Sequence, residues 1–274
     1  MKKHLSTVIL VLMLVLGFCL LLYPTFSDYV NSLHQPRAIA SYNESVKDLD
    51  SADYEKILND AKQYNAELAQ KPQKYDLSEA EKVRYEQLLR IDETGMMGYI
   101  EIPSIKVSLP IYHGTGDEVL NTAISHLEWT SLPVGGASSH CVLTGHRGLP
   151  NAMLFTNLDS LKESDTFVLR VLNEVLTYEA DQILIVEPND TEALQIVEGK
   201  DYCTLVTCTP YGVNTHRLLV RGHRTENADG TLASVAADAM RINPILVALA
   251  IALPLLVILV IVILLPRRNN LNKH

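Results

Sequence analysis

Two long apolar runs, one near each end of the chain, constrain its architecture more than any other feature. Residues 5–23 form a run of 19 and residues 245–265 a run of 21, and neither contains a charged side chain. At a rise of about 1.5 Å per residue, either run can cross a hydrocarbon layer roughly 30 Å thick as a helix. The sequence therefore predicts two membrane spans and excludes both a simple cytosolic enzyme and a multi-pass transporter.

Basic residues next to the runs predict an orientation. They are Lys2, Lys3, Arg267, Arg268 and Lys273. Because Lys and Arg near membrane ends stay on the cytoplasmic side, residues 1–4 and 266–274 are predicted to be cytoplasmic and residues 24–244 to lie outside. A cleaved signal peptide is the alternative for the first run, although this run is longer than usual and ends without an Ala-x-Ala-like site.

Charge and cysteine content narrow the function of the outside segment. All 32 acidic residues but only 18 of the 23 basic ones fall between the runs, so this segment carries a net charge of −14. Such a surface repels nucleic acid, which is not expected as a partner.

The segment also holds three cysteines, Cys141, Cys203 and Cys208. An odd number indicates either one disulfide plus a buried thiol or a free reactive thiol.

Residues 36–94 have the composition and spacing of a helical arm. Apolar residues recur three and four apart in two patterns: Ile39, Tyr42, Val46 and Leu49, then Ile57, Ala61, Tyr64 and Leu68. Pro72 ends the second pattern. Ser78 and Glu81 then have the spacing of a capping box, which predicts a further short helix. Helices this short are marginal alone, so we expect the arm to pack on another domain.

Residues 95–224 have the pattern of a mainly β domain. Ile105, Val107, Leu109 and Ile111 alternate with other residues at the period of a half-buried strand. Further short runs are predicted at 141–144, 166–172, 174–178, 183–186, 202–207 and 217–221. Many short strands with few helices favour a closed barrel or a sandwich. Residues 225–244 are predicted to be a tether to the second membrane run.

Three residues of this domain suggest covalent catalysis. Cys208 ends a strand-like run, and Arg217 begins the next strand nine residues later, so a hairpin can bring them together. His146 follows another strand between Gly145 and Gly148, where glycine permits close backbone approach. A thiol with an ordinary pKa of about 8.5 needs a cationic neighbour to become a nucleophile. An imidazole can also protonate a leaving amine, and a guanidinium can stabilise an oxyanion.

Spacing alone leaves structural alternatives open. Cys208 could be a core thiol, His146 a loop residue and Arg217 a surface charge. A zinc site formed by Cys203, Cys208, His146 and His216 is a weaker alternative, because the two cysteines lack CxxC spacing.

The segments that carry this chemistry resemble the sortases, and among them the pilin-polymerising class C. The similar segments are TLVTCTPYGVNTHRLLVRG at 204–222, LTGHRG at 143–148, GYIEIP at 98–103 and LPIYHG at 109–114. The resemblance implies a closed eight-stranded β-barrel with the helical arm and two flanking transmembrane helices. It places the enzyme in the membrane of a Gram-positive bacterium, with its catalytic domain extracellular.

The resemblance implies a cysteine transpeptidase without a cofactor or bound metal. Cys208 would cleave an LPXTG-like signal between Thr and Gly, with His146 as acid and base and Arg217 as clamp. A lysine amine of a neighbouring pilin would resolve the thioacyl-enzyme. Thr207, Thr209 and His216 are expected near the substrate, and His126 resembles a position near the site without an assigned role. Attachment of surface proteins to the cell-wall precursor and an inactive binding module are the alternatives.

Class C enzymes typically carry a lid with an Asp-Pro-aromatic motif, and this chain departs from that pattern. Residues 70–77 read QKPQKYDL and contain no Asp-Pro pair. Tyr75 and Asp76 could replace the aromatic and anionic parts of a lid. We expect instead that this stretch is a connector and that no anchored lid locks the site.

Overall fold

The computed structural model describes residues 2–71, 77–149 and 152–227. The chain divides into two compact units, one of residues 1–29 and 238–274 and the other of residues 30–237. The arm helices and the barrel described below belong to the second unit. Tyr75 and Asp76 lie outside the described residues, as do the second apolar run and nearly all of the predicted tether.

Within the described part of the chain, no helix is both long and apolar enough to cross a membrane. The first predicted span is therefore not supported by the described residues, and the second predicted span lies outside them. The first apolar run lies in helix α1, Lys2–Asp48.

Helices occupy the region predicted to form the arm. The pattern of Ile39 and Tyr42 falls in the C-terminal part of α1, and the second pattern forms α2, Ser51–Ala69. Helix α3, Glu79–Gln87, begins at the predicted capping box: the Ser78 side chain accepts from the Glu81 amide, and the Glu81 carboxylate accepts from the Ser78 amide. This reciprocal pair fixes where α3 starts, because it satisfies two amides that a helix end otherwise leaves unpaired.

Eight strands close into a barrel, as predicted. They are β1 (Met96–Ile102), β2 (Val107–His113), β3 (Ile124–His126), β4 (Ser139–Thr144), β5 (Thr166–Val171), β6 (Glu174–Val186), β7 (Asp201–Thr209) and β8 (His216–Arg224). Their order around the barrel is β1-β2-β3-β4-β7-β8-β6-β5, and β5 closes the ring on β1. The pairs β2–β3 and β4–β7 are parallel and the other pairs are antiparallel. A short helix, α4 (Asp117–Leu120), precedes β3.

The strand predictions fail where the sequence pattern is not alternating or not continuous. β1 was not predicted, because all seven of its residues are buried and none marks a solvent face. β3 has only three residues and was also missed. The predicted strands 174–178 and 183–186 form one strand, β6, whose pairing with β8 shifts between Ala180 and Gln182. Ile105 belongs to a 3-10 turn before β2 rather than to the strand.

Buried polar contacts attach the helices to the barrel. The Tyr42 hydroxyl donates to the Met97 carbonyl (2.9 Å) and accepts from the Leu172 amide (2.8 Å). The Asn65 side chain on α2 bonds both to the Leu132 amide (2.7 Å) and to its carbonyl (3.0 Å). Because each buried partner would otherwise be unsatisfied, these bonds specify how α1 and α2 pack on the barrel.

His140 on β4 is a buried neutral imidazole. Its Nδ1–H donates to the Gln195 carbonyl (2.8 Å), so its Nε2 accepts from the Thr204 hydroxyl (2.7 Å). Burial lowers the pKa of His140 to about 4, and the charge of Arg221 acts in the same direction. The unfolded chain takes up this proton near pH 6.5, so the contribution of His140 to stability is complete above that pH and is lost as the pH falls toward 4.

We expect the free energy of unfolding to depend less on pH once His140 is replaced. The difference between the two pKa values corresponds to roughly 3 kcal/mol between pH 7 and pH 4. Urea unfolding of wild type and His140→Gln at both values measures the difference. His34→Gln, at an exposed position on α1, is the matched control. Equal pH dependence in His140→Gln and wild type would contradict this account of His140.

Candidate active site

Cys208 and Arg217 are brought together by the β7–β8 hairpin. They are direct partners in the antiparallel register, one step from the end of the ladder, and both are half-buried. Directly opposed residues have Cα atoms about 4.5–5.5 Å apart and side chains on the same face. The connecting loop begins with a cis peptide between Thr209 and Pro210. The Pro210 carbonyl then accepts from the amides of residues 213 and 214, which makes the turn compact.

His146 reaches the same end of the barrel by a different route. Strand β4 runs parallel to β7, and their last register pair is Thr144 with Val206. The Gly145 amide continues the ladder by donating to the Val206 carbonyl (3.1 Å). His146 and Cys208 each lie two residues beyond that last pair. Continuation of the parallel register therefore places the half-buried His146 next to Cys208, so that Cys208 has His146 on one side and Arg217 on the other.

Two backbone contacts hold the His146 segment. The buried Thr207 hydroxyl donates to the Gly145 carbonyl (2.8 Å). The His146 carbonyl accepts from the Phe155 amide (3.2 Å). Because both bonds are made to main-chain carbonyls, they fix the backbone position of His146 and leave its ring nitrogens unoccupied.

Gly145 is required by close packing beneath this segment. A Cβ atom at this position would lie 2.6 Å from Ile124 Cδ1 and 2.9 Å from Phe155 Cδ2. Real Cβ atoms essentially never lie within 3.0 Å of such neighbours, so a residue with a Cβ would not fit here without a shift. This bears out the expectation that glycine lets the backbone approach a neighbour at this position.

For the peptide ligation that the resemblance implies, we expect Gly145→Ala to lower the rate by about 100-fold, because a shift of about 1 Å in a catalytic group has an effect of that size. Ligation kinetics and thermal unfolding, measured in parallel, separate a displaced His146 from an unfolded protein. Gly116→Ala is the matched control, because its added Cβ meets only Glu118 Cγ at 4.0 Å. Unchanged kinetics in Gly145→Ala would show that the close packing does not position His146.

A second contact joins the His146 loop to the β7–β8 loop. The Tyr211 ring covers Gly148, whose φ is +75° and whose absent Cβ would lie 3.0 Å from the ring. The Arg147 guanidinium lies 5.6 Å from the centroid of the same ring and forms an ion pair with Asp159. No local sequence pattern marks Tyr211 or Asp159, because Tyr211 is 63 and 64 residues from Gly148 and Arg147, and Asp159 is 12 residues from Arg147.

The guanidinium of Arg217 is held by its own loop. Its Nη1 donates to the carbonyls of Asn214 (3.3 Å) and His216 (3.1 Å). These bonds hold the guanidinium against its own loop, and Arg217 as a whole is half-buried.

The other predicted site residues differ in their surroundings. Thr207 and Thr209 are buried, and the Thr207 hydroxyl is already bonded to the main chain, which favours a positioning role over substrate contact. The half-exposed His216 lies near Thr215 and 3.4 Å from Glu187. His126 is fully buried on β3, where its Nε2–H donates to the Ser131 carbonyl (2.8 Å) and its Nδ1 accepts from Tyr85 (2.9 Å).

The zinc alternative finds no support in the geometry. Cys203 and Cys208 are five residues apart on the unbroken strand β7, so their side chains point to opposite faces. Over the described ranges, there is no group of three or more His, Cys, Asp or Glu side chains that could hold a metal ion.

Comparison with known proteins agrees with the closed eight-stranded barrel. The sortase domain family matches residues 100–225. The chain belongs to the sortase family and is a cysteine transpeptidase. Its solved neighbours place it with the pilin-polymerising class C sortases, at 38–55% identity.

Three relatives illustrate the match. Sortase C1 from Streptococcus agalactiae is 55% identical, with a TM-score of 0.68 over 70% of this chain and 99% of that one. Sortase C from Streptococcus pneumoniae is 43% identical, with a TM-score of 0.63 over 70% of this chain and 97% of that one. Sortase A of Staphylococcus aureus is 29% identical over 223 residues, which cover 78% of this chain and 93% of that protein.

Proposed function

We propose that the chain joins pilin subunits by cleaving an LPXTG-like sorting signal and transferring it to a lysine amine of the next pilin. The observation that carries this proposal is the position of Cys208, which has Arg217 as its register partner on β8 and His146 in the adjoining segment after β4. Similarity to class C sortases supports pilin as the substrate; the S. pneumoniae structure is described as giving insight into pilin substrate specificity.

In the proposed first half-reaction, the Cys208 thiolate attacks the carbonyl carbon of the threonine in the signal. Arg217 donates hydrogen bonds to the oxygen that becomes negative, where a preorganised cation is most effective. His146, as imidazolium, protonates the departing glycine amine. The products are a thioacyl-enzyme on Cys208 and a free glycine-led peptide.

The second half-reaction reverses these roles with a different amine. The lysine amine attacks the thioester carbon, His146 accepts its proton, and Cys208 leaves as thiolate. The new bond is an isopeptide bond between the threonine carbonyl and the lysine side chain. We propose that residues 95–224 form the catalytic domain and that it acts at the outer surface of a Gram-positive cell.

Mass spectrometry tests the first half-reaction. The protein is incubated with an LPXTG-like peptide, quenched in acid and digested, and the thioacyl adduct is expected on the peptide that contains Cys208. The matched control is a peptide in which the scissile glycine is replaced by proline, which has no N–H and a fixed φ. Absence of an adduct with the natural signal, in a folded protein, would overturn the proposal.

The acceptor is tested separately, because attachment to the cell-wall precursor uses the same acyl-enzyme. A pilin domain with its natural lysines and a cell-wall precursor peptide compete for the preformed thioacyl-enzyme. Pilin polymerisation predicts product on the pilin lysine, and loss of that product when lysine is changed to arginine. Transfer mainly to the wall peptide would identify an anchoring sortase instead.

A further inference from the structure

Two cysteines that the proposed reaction does not use lie side by side in the barrel. Cys141 on β4 and Cys203 on β7 are partners in the parallel register, and both are free. They are 2% and 0% exposed. Adjacent strands are about 4.8 Å apart, which is within the Cα separation of about 4.4–6.8 Å that a disulfide accepts. Because register partners point to the same face, the two thiols are neighbours although the residues are 62 positions apart in the chain.

The third cysteine of the barrel is out of reach of this pair. Cys208 lies five residues beyond Cys203 on β7, about 16 Å away at 3.3 Å per residue. The odd spacing also turns its side chain to the opposite face of the strand. A disulfide between Cys141 and Cys203 would therefore leave the proposed nucleophile free.

The surroundings of the pair favour thiol–disulfide exchange. The imidazole of His126, whose ring nitrogens bond to Tyr85 and to the Ser131 carbonyl, lies near the Cys141 thiol. Burial raises the pKa of the Cys141 thiol, but the adjacent Cys203 thiol and the nearby His126 outweigh that effect and lower it. Burial raises the pKa of Cys203. Of the two thiols, Cys141 is therefore the one that we expect to attack first, because the thiolate is the attacking species in disulfide exchange.

We propose that Cys141 and Cys203 form a cross-strand disulfide when a low-molecular-weight disulfide reaches them, before the barrel closes or when it transiently opens. The Cys141 thiolate attacks one sulfur of the oxidant and releases one thiol. The Cys203 thiolate then attacks the mixed disulfide at Cys141 and releases the second thiol. Two protein thiols lose two protons and two electrons in total, and the oxidant is reduced to two thiols.

The bond would join the two strands that lead to the active site. His146 and Cys208 each lie five residues after one of the paired cysteines. The disulfide would close a loop of 61 intervening residues and restrict the unfolded chain. We expect it to raise the midpoint of thermal unfolding by about 5–10 °C.

A variant that contains only this pair tests the proposal. The full chain with Cys19→Ala and Cys208→Ala is incubated with glutathione disulfide in moderate urea, which permits opening, and is then denatured with N-ethylmaleimide. The expected product has lost the mass of two hydrogen atoms, takes up no maleimide and yields a cross-linked Cys141–Cys203 peptide. Dithiothreitol should restore two maleimide sites and lower the midpoint again.

Adding Cys203→Ala provides the matched control, which should bind one glutathione and gain no thermal stability. Two maleimide adducts after oxidation, cross-links only between chains, or a cross-link without a gain in stability would each overturn the proposal. The assay needs no substrate and no Cys208, so it can fail while the transpeptidase proposal holds, and the reverse is equally possible.

Discussion

Cys208→Ala is expected to lower the rate of peptide ligation by roughly 10⁴-fold or more, the largest effect of any substitution in this chain. The reason is that the thioacyl intermediate requires a nucleophilic atom at this position, and removal of a catalytic nucleophile in enzymes that act through acyl intermediates has effects of this order. The barrel should remain folded, since Cys208 is only half-buried and alanine fits an extended strand. Ligation of an LPXTG-like peptide to an amine, followed by chromatography, measures the loss.

Cys19→Ala is the matched control, because Cys19 lies on α1 in the other compact unit of the chain. It should ligate at the wild-type rate. If Cys208→Ala retained ligation, or if its adduct moved to Cys141 or Cys203, the assignment of the nucleophile would be wrong.

Arg217→Lys is expected to lower the rate of thioacyl formation by about 100- to 1000-fold. The positive charge remains, but the planar fork that bonds the carbonyls of Asn214 and His216 is lost. The size of the effect follows from the removal of one donor to a developing oxyanion. Single-turnover measurement of adduct formation isolates this step from amine transfer.

Arg221→Lys is the same exchange four residues along β8, where the guanidinium pairs with Asp181 (2.9 Å) and covers Tyr202. It should alter stability more than adduct formation. Equal losses of adduct formation in the two variants would indicate a general effect on β8 and not a specific role for Arg217.

The sequence predicted the parts of the fold that have local patterns. The capping box at Ser78, the hairpin from Cys208 to Arg217 and most strands were recognisable, because each depends on residues close in the chain. Strand β1 could not be recognised from the sequence, because both of its faces are buried. The barrel core covers one face, and Tyr42 and neighbouring arm residues pack on the other. With both faces buried, the alternation that marks a strand disappears.

The candidate site shows the same limit. Nothing local to His146 indicates that it lies beside Cys208, because the two are joined through the parallel pairing of β4 with β7, 62 residues apart. The resemblance to sortases supplied that link, and the register agrees with it. Neither local sequence patterns nor the resemblance to sortases predicted the contact of Tyr211 with Gly148 or the ion pair of Arg147 with Asp159, since these depend on tertiary packing of the loops.

Strand β7 has β4 on one side and β8 on the other, and this has a consequence for how the enzyme matures. Strand β8 is the last of the barrel in chain order and brings Arg217 with it. Until β8 docks, a folding intermediate has a thiol but no cation opposite it. The set of Cys208, His146 and Arg217 is therefore complete only once β8 has paired with β7, and formation of the thioacyl-enzyme should not begin before that step.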